Sequence, residues 1–75
     1  MTAAELTAAL ADAEAFERHI ELQVRIDLQH QRLARIRKNW VAGIITSGSM
    51  ARQRREINRE IEDLTRQQDE LAAPV

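Results

Sequence analysis

Cysteine is absent from this 75-residue chain, which excludes disulfide staples, thiolate metal sites and cysteine nucleophiles. Two glycines and one proline are too few for the turns of a β-rich fold. Phe16 and Trp40 are the only aromatic residues, so large rings cannot dominate a core. Net charge is nearly absent too, at a formal −1, but that balance hides a strong separation of charge along the chain. The longest apolar run, Trp40 to Ile45, falls far short of the ~20 residues a membrane span needs. Glu5 and Asp12 stand where a signal peptide would carry basic residues and then an apolar stretch. A cytoplasmic chain that uses no membrane is the resulting expectation.

What is present favours helix. Charged residues make up 31% of the chain and apolar ones 44%, with Ala, Leu, Glu, Gln and Arg throughout. Thr2-Ala3-Ala4-Glu5 has the spacing of a capping box, in which side chain and backbone at each end satisfy one another. No Gly or Pro interrupts residues 3–42, which predicts one helix roughly 60 Å long at 1.5 Å per residue. Gly43 to Ser49 is the only interior turn cluster. Gly43 suits a left-handed C-cap, and Thr46, Ser47 or Ser49 can cap the next helix. A second helix is expected over 49–72, after a turn at 43–48, ending at the Ala-Ala-Pro-Val tail. The fold class is therefore all-α: a two-helix antiparallel coiled-coil hairpin with a long overhanging first helix, assembling into a helical bundle.

The apolar pattern assigns the faces. In the second helix Met50, Ile57, Leu64 and Leu71 repeat every seven residues, with Arg54, Ile61 and Gln68 at the accompanying position. The first helix carries two stripes on opposite sides, at about 100° per residue. Leu22, Ile26, Leu33, Ile36, Trp40 and Ile44 form the side expected to pack with Met50, Ile57, Ile61 and Leu64 as the hairpin core. Leu6, Leu10, Ala13, Phe16, Ile20, Val24 and Leu28 form the other. The returning helix reaches back only to about residue 20, so this second row has no partner in its own chain. It is a candidate interface with another copy or another protein. The alternative is a bend near residue 20 that folds the first segment back as a third helix.

Charge is segregated along the hairpin. Between Arg25 and Arg59 nine basic residues stand against two acidic ones, a net of +7; the remainder carries two against ten, a net of −8. Basic tip and acidic open end suit a second hairpin packed antiparallel. Arg32, Arg35, Arg37, Lys38, Arg52, Arg54 and Arg55 are the candidate contacts for an acidic partner or, as the weaker alternative, for nucleic-acid phosphates. Catalytic chemistry is not indicated. His19 and His30 sit about 16 Å apart along the helix and cannot share a metal, and Asp27 with His30 makes only a two-ligand pair. Ser47 and Ser49 have no neighbouring base, and Glu14, Glu21 and Glu62 are matched four residues on by Arg18, Arg25 and Arg66. No enzyme activity, cofactor, metal or small-molecule substrate is expected.

The run Leu33-Ala34-Arg35-Ile36-Arg37-Lys38-Asn39-Trp40-Val41-Ala42-Gly43-Ile44-Ile45-Thr46, with Met50, Ile57, Ile61 and Leu64 after it, resembles the coiled-coil hairpin of large serine recombinases. The resemblance covers about residues 33–71. It departs from the family at Ser47-Gly48-Ser49, where acidic residues are usual, and the catalytic serine domain and zinc-ribbon cysteines are missing. What it implies is a subunit-pairing module acting in DNA recombination that cannot itself cut DNA. The rival is a free-standing regulator or a phage or bacterial structural subunit that forms a four-helix bundle, its basic tip offered to nucleic acid.

Overall fold

In the computed structural model, which describes residues 1–72, two helices account for nearly all of the chain: α1 (Ala3–Val41) and α2 (Ser47–Ala72). α1 starts where the capping box demands. The Thr2 side chain accepts from the Glu5 N–H at 3.2 Å, and the Thr2 N–H donates to the Glu5 carboxylate at 3.1 Å. It then runs 39 residues without a break, so there is no bend near residue 20 and no third helix among the described residues.

α1 stops because Gly43 takes a φ of 76°, in the left-handed region. The Gly43 N–H donates to the Trp40 carbonyl and the Ile44 N–H to the Asn39 carbonyl, the paired bonds of a Schellman ending. α2 begins at Ser47, two residues earlier than the sequence suggests, because Thr46 is the cap that wins. Its hydroxyl accepts from the Ser49 N–H at 3.1 Å, and its carbonyl accepts the first helical bond, from Met50. The turn is thus 42–46 rather than 43–48. The expected stop at 73–75 lies outside the described residues.

The helices pack antiparallel along one narrow seam. Leu22, Ile26, Ile57 and Leu64 are buried, and Leu33, Ile36, Met50 and Ile61 are half-buried. Two expected core members are more exposed than the rest. Ile44 is 71% exposed, because the left-handed glycine before it breaks the helical phase; Ile45 turns inward instead. Trp40 is 40% exposed, because its indole N–H reaches across the turn to the Ser47 hydroxyl at 3.0 Å. The buried polar residue is Gln29, in line with Leu22, Ile26, Leu33 and Ile36, and its amide oxygen accepts from Arg32 at 3.3 Å.

At the open end Gln68 ties α2 to α1. Its amide donates to the His19 carbonyl at 3.3 Å and to the Gln23 side chain at 3.0 Å. About one turn beyond that tether α2 ends, and among the described residues the first fourteen of the chain project alone. The molecule measures 62 × 18 × 11 Å with a radius of gyration of 18.1 Å. A compact chain of this length would have about 11 Å.

Candidate functional site

Two surfaces qualify. The first is the row opposite the seam. Leu6, Leu10, Phe16, Ile20, Val24 and Leu28 are each between 45% and 65% exposed, and Ala13 lies exposed among them. They share one side because spacings of three and four residues return to the same side of a helix. No described residue covers them, since α2 occupies the other side of α1. This is the contiguous apolar row predicted from the sequence.

Its area can be gauged. The accessible surface is 6108 Å², against about 4,700 Å² for a folded monomer of 8.6 kDa. The excess, about 1,400 Å² on one chain, exceeds the ~600–1,000 Å² that each partner gives to a standard protein–protein interface. The interior is correspondingly thin, with four buried apolar side chains in the seam. Chains below ~70–80 residues rarely obtain more than ~3–5 kcal/mol from one core.

The second surface is the tip. Arg32, Arg35, Arg37, Lys38, Arg52, Arg54 and Arg55 are all exposed there, and among the described residues none forms an ion pair. Arg52, Arg54 and Arg55 sit early in α2, where the helix dipole disfavours cations. A groove opens beside them between the helices. Leu33, Ala34, Ile36, Arg37, Lys38, Trp40 and Val41 form its α1 wall; Met50, Arg54 and Asn58 form its α2 wall. Val41 is 75% exposed, so this wall offers apolar surface as well as charge.

The remaining polar groups serve the hairpin itself. Ser47 accepts from Trp40, and Ser49 accepts from Gln53 at 2.8 Å. His19 and His30 lie exposed on α1. Among the described residues no three His, Asp or Glu side chains gather as a metal site, and no helix is long and apolar enough to cross a membrane. The ion pairs differ from those expected. Arg18 bonds Glu21 at 3.3 Å rather than Glu14, and Arg66 bonds Asp63 rather than Glu62. Both choose the neighbour three residues away, which leaves Glu14 and Glu62 open on the surface. Comparison with protein-family models, curated proteins and solved structures returns no match.

Proposed function

We propose that this chain is a non-enzymatic coiled-coil module whose work is to pair with protein, first with a second copy of itself. The observation that carries this is the row Leu6, Leu10, Phe16, Ile20, Val24 and Leu28, left in water on a helix whose other side is already occupied. Each such side chain contributes ~1.5–3 kcal/mol when fully covered. A partner therefore supplies stabilisation that the thin hairpin seam does not. The resemblance of residues 33–71 to the subunit-pairing hairpin of large serine recombinases supports the same role, and a place in DNA recombination is the process it would suggest.

Sedimentation velocity tests this at micromolar concentration. The unaltered chain should sediment as an assembly of two or more copies, and Leu10→Glu with Ile20→Glu should sediment as an 8.6 kDa monomer of lower helicity. A monomer for the unaltered chain refutes self-pairing. The basic tip favours a second reading, a phosphate-binding helical regulator or structural subunit. That reading gains if Arg52, Arg54 and Arg55 changed to Glu leave the assembly intact but abolish salt-sensitive binding to DNA or RNA.

A further inference from the structure

The exposed row has heptad form, and that form points to one register. Steps of four and three residues lead from Leu6 through Leu10, Ala13, Glu17, Ile20, Val24, Asp27, Gln31 and Ala34 to Lys38, all exposed in the isolated hairpin. Resting on the self-pairing reading, we infer that two copies join through α1 in an antiparallel register centred on Leu22, so that the first residues of each α1 close against the α1 wall of the other copy's tip groove. In this register Ile20 of one copy stands level with Val24 of the second, Leu10 with Ala34 and Leu6 with Lys38.

Packing and charge both select it. Ile20 and Val24 meet twice about the two-fold axis, with Phe16 and Leu28 flanking them. Leu10 reaches Ala34, and Leu6 lies along the aliphatic stem of Lys38 beside Val41, three residues of the groove's wall. Sliding one copy by a heptad in either direction would set Ile20 against Glu17 or against Gln31, losing both Ile20–Val24 contacts. A parallel pair would match the apolar residues with themselves. It would also stack the −8 ends together and the +7 tips together, whereas the antiparallel pair puts Asp12 level with Arg32 and Glu14 level with His30. One mismatch remains in the chosen register: Glu17 faces Asp27, twice per dimer. That defect gives the register a signature.

The absence of native cysteine allows a clean test. Chains carrying Leu10→Cys are mixed with chains carrying Ala34→Cys under mild oxidation, and each is also oxidised alone. The register predicts a disulfide-linked dimer from the mixture and none from Leu10→Cys alone, whose two sulfurs would lie about 36 Å apart against the ~7 Å Cα separation a disulfide tolerates. Separately, Glu17→Lys should tighten the dimer roughly tenfold, because it turns two carboxylate–carboxylate contacts into ion pairs. In a parallel dimer it would set lysine against lysine and give no gain. Cross-linking of Leu10→Cys with itself, or a dimer that neither links in the mixture nor tightens with Glu17→Lys, overturns the register and leaves self-pairing standing. Monomeric sedimentation of the unaltered chain overturns both.

Discussion

Gly43 shows how much of this fold hangs on single residues. Its φ of 76° lies where a Cβ is strained, yet a Cβ there would meet no atom within 4 Å. The cost of Gly43→Ala is therefore conformational alone, ~1–2 kcal/mol. Thermal unfolding followed by circular dichroism should report that loss, with a smaller one for Gly43→Asn; an unchanged midpoint would mean that the turn is not left-handed. At this scale the sequence was legible where backbone chemistry speaks directly: the Thr2–Glu5 box and the glycine cap both stand as read. It was not legible where a side chain had to choose. Trp40 belongs to the apolar stripe by position and lines the groove between the helices, but its indole N–H bonds the Ser47 hydroxyl and 40% of the residue stays exposed. Gln29 carries no apolar signal that would mark it as a seam residue. Its place three residues after Ile26 and four before Leu33 was the available signal, since position, not polarity, decides what a helix turns inward.

The two helices differ in what holds them. α2 has its seam against α1 along nearly its whole length, whereas α1 has α2 along only its second half. Isolated helical segments are marginal in water, because nucleation is costly and propagation weakly favourable. The projecting part of α1 therefore depends on association. Amide hydrogen exchange should find residues 22–38 protected at any concentration, and residues 5–14 protected only where the chain is assembled. Equal protection of both segments in dilute solution would show that the projecting turns need no partner. The extent of each helix followed from its caps, with one error: three candidate caps crowd into Thr46, Ser47 and Ser49, and periodicity alone does not rank them. Thr46 wins because it can bond the Ser49 N–H while its carbonyl accepts from Met50. The unpartnered row was legible from the lengths of the helices, because a shorter helix cannot cover a longer one. The tip groove was not, since it is made by the spacing of two helices whose side-by-side placement no single stretch of sequence encodes.

Over the whole molecule, charge and apolar surface favour the same partner. Cations at the tip and carboxylates at the open end lie beside their own kind within one hairpin, and antiparallel association brings each beside its opposite. Exposed pairs are individually weak, ~0.2–1 kcal/mol, but many act together and all are screened by salt. The measurement that bears most directly on this account is sedimentation equilibrium of the unaltered chain at low and high salt. A dimer of twice 8.6 kDa whose dissociation constant rises with salt is the predicted result. A chain that stays monomeric at every concentration, or a dimer that tightens as salt is added, would contradict it.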